Sequence, residues 1–74
     1  MELSWNEEKN KKLLKERGIG FEFISEYLAH SDEYILTKNP SNKYKDQYLF
    51  LIFIAPFCYL VPAVRTENGY FLKT

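Results

Sequence analysis

Apolar residues recur along the chain with two different periods, and these periods divide it into helices and strands. Residues 7–17 and 21–30 place apolar side chains at helical spacing, whereas residues 47–55 are apolar at both alternating positions of a strand. Shorter stretches with the composition of strands lie at residues 1–5, 32–37, 58–66 and 70–74. The order β-α-α-β-β-β-β predicts an α+β fold, with two N-terminal helices packed on a small antiparallel β-sheet.

The first predicted helix has residues typical of helix ends. Asn6 is a good N-cap, and Gly18 suits the position after the last helical residue. The inward stripe of this helix is thin and consists of Asn10, Leu13, Leu14 and Arg17. Because Arg17 shares that stripe with two leucines, we expect its guanidinium group to reach the sheet or a cleft.

The most apolar stretch, residues 48–64, predicts strands and not a membrane-spanning helix. Its seventeen residues are at the lower limit for crossing a bilayer, and Pro56 and Pro62 interrupt it. The strand at residues 47–55 is apolar on both faces, which is typical of a central strand covered on both sides. The helices can cover one face only, so we expect a homodimer or a complex with a second protein.

The last strand follows Asn68 and Gly69, a pair that predicts a type I′ turn because both residues tolerate positive φ. The sequence after this turn, YFLKT, predicts the start of a strand.

Composition narrows the range of functions. The 74 residues form a single domain, residues 1–74, with Cys58 as the only cysteine and His30 as the only histidine. An internal disulfide, a cysteine-rich zinc site and a histidine–histidine metal site are therefore excluded, and we expect no metal, no cofactor and a buried, inert thiol. A lone thiol and a charged N-terminus without a signal peptide favour a cytoplasmic protein.

Charge is unevenly distributed although the net charge is zero. Residues 1–37 carry five basic and eight acidic side chains, whereas residues 38–74 carry five and two. In the polar loop before the central strand, Lys43 and Lys45 flank Tyr44, a pattern that can hold phosphates while stacking a base. These three residues are candidate RNA-binding residues. An ordinary solvated loop is the alternative interpretation.

The stretch LSWNEEKNKKLLKERGIGFE resembles the N-terminal signature of the BrnT-type toxins. Asn6, Leu13 and Arg17 depart from that signature, where Asp, Asn and His are usual. The resemblance also implies that YFLKT is the first half of a longer strand, followed by a basic segment with Ser and Arg. The matching positions are Trp5, Lys9, Gly18, Ile19, Phe21 and Glu22.

The resemblance implies a RelE-like fold and a metal-independent endoribonuclease that a cognate antitoxin neutralises. Such cleavage needs positive charge on the developing phosphorane, and Arg65, Lys73 and Arg17 are the candidate catalytic residues. Two alternatives remain open: a non-catalytic, protein-binding member of the family, and a small regulatory or scaffold domain unrelated to toxins. The candidates for the general base are Glu22, Tyr44 and His30, although an exposed helix cap is the favoured interpretation of His30.

Overall fold

Each segment that the apolar pattern predicts forms the expected element in the computed structural model, which describes all 74 residues. The α+β class and the order of two helices before most of the sheet are thereby confirmed. A short 3₁₀ turn, Asn42–Tyr44, lies in the loop between the second and third strands. The elements are β1 (Glu2–Trp5), α1 (Glu7–Arg17), α2 (Phe21–His30), β2 (Tyr34–Lys38), β3 (Gln47–Ile54), β4 (Phe57–Arg65) and β5 (Gly69–Leu72).

The five strands form one sheet in the order β1-β5-β4-β3-β2. Neighbouring strands from β5 to β2 are antiparallel, but β1 runs parallel to β5, with Glu2 opposite Gly69 and Trp5 opposite Leu72. The sheet is therefore mixed and not purely antiparallel as predicted. Almost the whole chain connects β1 to β5, so no tight hairpin imposes an antiparallel direction on this pair.

Gly69 has a different role from the one that the turn pattern predicts. Gly18 is the only residue with positive φ, at 72°, so Asn68 and Gly69 do not form a type I′ turn. The chain instead reverses one residue earlier, at Glu67 and Asn68, and Thr66 N–H donates to the carbonyl of Gly69 over 2.8 Å. A side chain at Gly69 would overlap the backbone of Glu2, so this glycine permits the close approach of β1.

The hydrophobic core lies between α2 and one face of the sheet. Phe50 and Ile52 of β3 are fully buried there, which confirms that this strand lies in the interior of the sheet. The other buried apolar residues of the core are Phe21, Ile24, Leu28, Val61, Ala63, Tyr70 and Leu72. No helix of the chain is long and apolar enough to cross a membrane, and the apolar stretch around residues 48–64 forms strands instead.

The opposite face of the sheet, which we call the outer face, has no helix over it. Strand alternation places Ile35, Phe53 and Leu60 there, with 51%, 49% and 61% of their surface exposed. Cys58 lies beside Phe53 on the same face and is exposed, so the prediction of a buried thiol is wrong. The prediction failed because an apolar strand indicates a covered face only if an element is available to cover it. Leu49, Leu51, Pro62, Val64 and Phe71 complete the apolar part of this face.

Candidate functional site

A stagger between β4 and β5 creates a concavity beside the sheet. Strand β4 contains nine residues, but its pairing with β5 covers only Ala63–Arg65. The hydrogen bond from Lys73 N–H to the Pro62 carbonyl, 2.7 Å long, continues this contact by one step. Residues 57–61 of β4 consequently have no strand beside them on the β5 side. We call this segment the open edge.

A groove of about 520 Å³ separates the open edge from α1. Its floor and walls are mostly apolar, with Leu13 contributed by α1 and Phe21 and Ile24 by α2. Four basic residues, Lys9, Lys12, Arg17 and Lys73, also line it, and Glu16 is its only acidic residue. We call this concavity the cationic groove, since these five side chains carry a net charge of +3.

The basic side chains of the cationic groove are largely free of ionic partners. Lys12 Nζ lies 3.9 Å from Glu16 Oε1, and both side chains are more than half exposed. A long, exposed pair of this kind contributes little stability, so either group can turn toward a ligand. No carboxylate lies within ion-pair distance of Lys9, Arg17 or Lys73. The groove therefore presents unneutralised positive charge.

The structure brings together two of the three predicted catalytic residues. Arg17 ends α1 and Lys73 follows β5, and both line the cationic groove. The Lys73 ammonium lies 6.0 Å from the centre of the Phe71 ring, so it is held at the mouth of the groove toward the outer face. The sequence analysis named both residues and expected Arg17 to reach the sheet or a cleft, but it did not indicate that Lys73 lies in the same groove.

Arg65 lies elsewhere. It is opposite Tyr70 at the far end of β5, and its guanidinium carbon is 5.9 Å from the centre of the Tyr70 ring. From there to Lys73 the chain runs three residues along β5, or roughly 10 Å. Arg65 does not line the cationic groove.

The predicted RNA-binding residues are at the Arg65 end of the sheet. The loop containing Lys43, Tyr44 and Lys45 enters β3 at Gln47, which pairs with Val64 of β4. Lys43 Nζ lies 5.3 Å from the centre of the Tyr44 ring, an exposed cation–π contact within the loop. The predicted site residues thus form two groups. Arg17 and Lys73 line the cationic groove, whereas Arg65 and the loop of residues 43–45 lie at the opposite end of β5.

None of the predicted general bases lines the cationic groove. His30 is exposed at the end of α2, where its Nε2 lies 3.0 Å from Glu26 Oε1. The groove contains instead Glu16 and Tyr59, which sequence reasoning missed. Tyr59 lies two residues before the buried Val61 in β4, so both side chains point to the helix side of the sheet. This spacing is the signal from which the position of Tyr59 could have been predicted.

Glu22, the third predicted base, belongs to a polar network that joins the two helices. The buried side chain of Asn10 accepts a hydrogen bond of 2.7 Å from the backbone N–H of Phe21, at the start of α2. Its amide nitrogen donates to Glu22 Oε1 over 2.7 Å and to Glu7 Oε1 over 3.2 Å. Gly20 leaves room for this arrangement, because an added Cβ there would lie 2.8 Å from Asn10 Oδ1.

This network makes Glu22 a poor base. The hydrogen bond from Asn10, together with the residue's own backbone N–H, lowers the pKa of Glu22 below its ordinary value of 4.5. A hydrogen bond to the ionised form stabilises the carboxylate and reduces its affinity for a proton. The geometry therefore assigns Glu22 a structural role at the start of α2.

Comparison of the chain with protein-family models, curated proteins and solved structures finds no match in any of the three. The likeness to BrnT-type toxins thus rests on the N-terminal motif, and three residues of that motif lie where the helices join. The Trp5 ring stacks 5.8 Å from Phe21, its Nε1 donates to Glu7 Oε2, and Glu22 accepts from Asn10. At these positions the residues of the motif make contacts that join β1, α1 and α2.

Proposed function

We propose that this chain is a metal-independent endoribonuclease of the toxin–antitoxin type, with a RelE-like fold, and that its substrate binds in the cationic groove. One observation carries the proposal: four of the ten basic residues of a chain with zero net charge line one groove that contains a single acidic side chain, that of Glu16. Phosphate groups of RNA are the polyanion that such a cluster attracts, and the resemblance of the N-terminal motif supplies the reaction class.

The residues of the groove suggest how each part of the reaction would be performed. Arg17 has a planar guanidinium that can donate two parallel hydrogen bonds to a phosphate, and Lys73 adds a second positive charge. Glu16 would take the proton of the ribose 2′-hydroxyl, whose oxygen then attacks phosphorus. Tyr59 would give a proton to the departing 5′-oxygen. This assignment needs no metal, since the two cations stabilise the charge of the pentacoordinate intermediate.

The proposal is tested with a labelled single-stranded RNA oligonucleotide incubated with the purified chain in EDTA. Cleavage is expected to persist in EDTA. Arg17→Ala is expected to reduce the single-turnover rate by about 10²–10³, the usual cost of losing one transition-state charge contact. Lys11 is the matched control because it belongs to α1 but does not line the groove. Lys11→Ala is expected to change the salt dependence of the rate slightly and little else.

The variant Arg65→Ala shows which of the two ends of the sheet contains the site of RNA cleavage. If catalysis occurs in the groove, this variant retains most of its activity, whereas Arg17→Ala does not. The opposite result would place the reaction beside Tyr70 and the loop with Lys43 and Lys45. Loss of cleavage in EDTA would contradict the metal-independent mechanism.

A second candidate function, a non-catalytic protein-interaction module, is favoured by the outer face. That face is apolar across four strands and includes exposed Ile35, Phe53 and Leu60. Apolar patches of this extent commonly bind another protein. Under this proposal the chain cleaves no RNA under any of the conditions above, and its partner, a cognate antitoxin or another protein, covers the outer face.

A further inference from the structure

We propose that two copies of this chain associate through β2, which pairs antiparallel with β2 of the second copy and places Leu36 opposite its counterpart. The two sheets then form one continuous sheet of ten strands, five from each copy. The helices of both copies lie on the same side of this sheet. The contact is separate from any association through the outer face, and it does not depend on RNA cleavage.

The backbone of β2 provides the first reason. In an antiparallel pair such as β2 with β3, every second residue directs both of its main-chain groups toward the partner strand. Asn39, just after β2, donates its N–H to the carbonyl of Gln47 over 2.9 Å, and this bond assigns Ile35 and Thr37 to the same inward set. The residues that direct their N–H and C=O groups outward, where no other strand lies, are therefore Tyr34, Leu36 and Lys38.

The edge of β2 carries few of the features that usually protect an edge strand. Ile35 and Leu36 are 51% and 38% exposed, one on each face of the strand, and no charge, proline or bulge interrupts residues 34–37. Lys38 is charged, but it lies at the last position of the strand. Edge strands without such protection pair readily with another strand. Because β2 lies across the sheet from β1 and β5, its edge is also separate from the cationic groove.

The outward groups determine the register of the pair. With Leu36 opposite its counterpart, the two copies exchange both main-chain bonds there, and Tyr34 of each copy does the same with Lys38 of the other. Each of these three pairs contributes two hydrogen bonds, so all outward groups of β2 are used. A shift of the register by two residues would reduce the pairs within β2 from three to two. In the proposed register the exposed Leu36 side chains also meet on the helix side.

Charge identifies a second copy as the partner. Asp32 and Glu33 precede β2 and Lys38 ends it, so the segment is acidic at one end and basic at the other. None of the three has an ion-pair partner within one copy. An antiparallel pair places the acidic end of each copy beside the basic end of the other, with Asp32 and Lys38 as diagonal neighbours about 7–8 Å apart, a distance that a long side chain spans. A parallel pair would bring like charges together at an energetic cost.

Amide hydrogen exchange, measured residue by residue by NMR, tests the pairing in the full chain. The test uses Phe53→Glu, which adds charge to the outer face and so isolates the edge of β2. The inward amides of Ile35 and Thr37 are expected to be protected at every concentration, because they bond to β3. The three outward amides are expected to exchange about two- to fivefold more slowly near 1 mM than near 30 μM, as a Kd of about 0.1–1 mM implies.

Exchange of the outward amides that is the same at both concentrations would overturn the proposal. Slowing of the inward and outward amides by the same factor would indicate general association and would also overturn it.

Disulfide formation tests the register. Cys58→Ser removes the native thiol, and one cysteine is then introduced by Leu36→Cys or, as the matched control, by Ile35→Cys on the other face of the same strand. Leu36→Cys is expected to form a cross-linked dimer at least about tenfold faster in glutathione buffer. The reason is that directly paired residues lie about 5.5 Å apart between Cα atoms, within the range of a disulfide. Equal rates, or faster cross-linking of Ile35→Cys, would contradict the proposed pairing.

Exchange of charges tests the partner, with the Kd taken from the concentration dependence of the outward amides. Lys38→Glu is expected to weaken association roughly fivefold, because it creates a repulsive contact at each end of the pair. Addition of Asp32→Lys and Glu33→Lys restores opposite charges and is expected to return the Kd to within about twofold of the original. Lys45→Glu makes the same change of charge in the loop after β2 and is the control, with an expected change below about twofold. Equal effects of Lys38→Glu and Lys45→Glu, or no restoration, would contradict the pairing of β2 with itself. Pairing that is observed while RNA cleavage is absent would refute only the proposed ribonuclease.

Discussion

At the scale of single residues, Asn10 has an unusual position for a polar side chain. It is 98% buried, yet each polar atom of its amide has a partner on α2 or on its own helix. It therefore acts as a side-chain cap for α2, supplied from α1, in a place where Gly20 has no side chain to offer. The sequence analysis placed Asn10 on the inward stripe of α1. It did not predict the hydrogen bonds of Asn10, because these depend on the orientation of the two helices relative to each other.

Replacement of Asn10 tests this role. Asn10→Ala is expected to lower the free energy of unfolding by about 1–3 kcal/mol, because the buried N–H of Phe21 loses its acceptor. Urea denaturation followed by Trp5 fluorescence measures the change. Asn42→Ala, in an exposed 3₁₀ turn, is the control and is expected to stay within about 0.5 kcal/mol of the original chain. An equal effect of both variants would contradict the capping role.

The same bond predicts a pH dependence. Because Asn10 lowers the pKa of Glu22 in the folded chain, the carboxylate contributes stability above its unfolded pKa, near 4.5. That contribution is expected to disappear as the pH falls through the lower, folded pKa. In Asn10→Ala the pKa of Glu22, followed by carboxyl NMR shifts, is expected to rise toward its ordinary value. An unchanged titration would mean that the backbone N–H alone sets the pKa.

At the scale of elements, the apolar pattern predicts every helix and strand, because local periodicity depends on the residues of one segment. Pairing depends on two segments, and here the prediction was incomplete. The hairpin of β3 and β4 could be predicted from adjacent apolar runs. The parallel pairing of β1 with β5 could not, because neither strand indicates its partner. The cationic groove was missed for a related reason: it arises from the stagger of β4 against β5, and register is not visible in composition.

Gly69 tests the pairing of β1. Gly69→Ala is expected to displace β1 from β5, since the new Cβ would overlap the Glu2 backbone. Amide exchange of residues 3–5 and the exposure of Trp5 measure this displacement. Gly18→Ala is the control: it introduces strain at φ 72° but meets no atom within 4 Å. It is expected to cost about 1 kcal/mol and to leave β1 paired. If β1 remained paired with β5 in Gly69→Ala, the close approach of the Glu2 backbone to Gly69 would be contradicted.

At the scale of the whole molecule, the outer face and the zero net charge both favour association. The outer face is apolar across four strands, and the chain has no net charge to oppose contact between copies. We therefore expect a homodimer or a hetero-complex in which this face is covered.

Phe53 and Phe57 provide a matched pair for this expectation. Both are exposed aromatic residues near the same end of the sheet, but alternation places Phe53 on the outer face and Phe57 on the helix side. In sedimentation at tens of micromolar, roughly the range where weak dimers form, Phe53→Glu is expected to shift the chain toward the monomer. Phe57→Glu is expected to leave the association unchanged. A monodisperse monomer of 8.8 kDa for the original chain would refute the homodimer.

The parallel pairing of β1 with β5 has a consequence for the order in which the molecule is built. Of the five described strands, β1 leaves the ribosome first, whereas β5, the only strand beside it, leaves last. Closing so long a loop is slow and entropically costly, whereas the hairpin of β3 and β4 closes locally. We therefore expect the helices and the hairpin of β3 and β4 to form first, while β1 is still unpaired. The sheet is then completed in one late step, in which the two ends of the described chain meet.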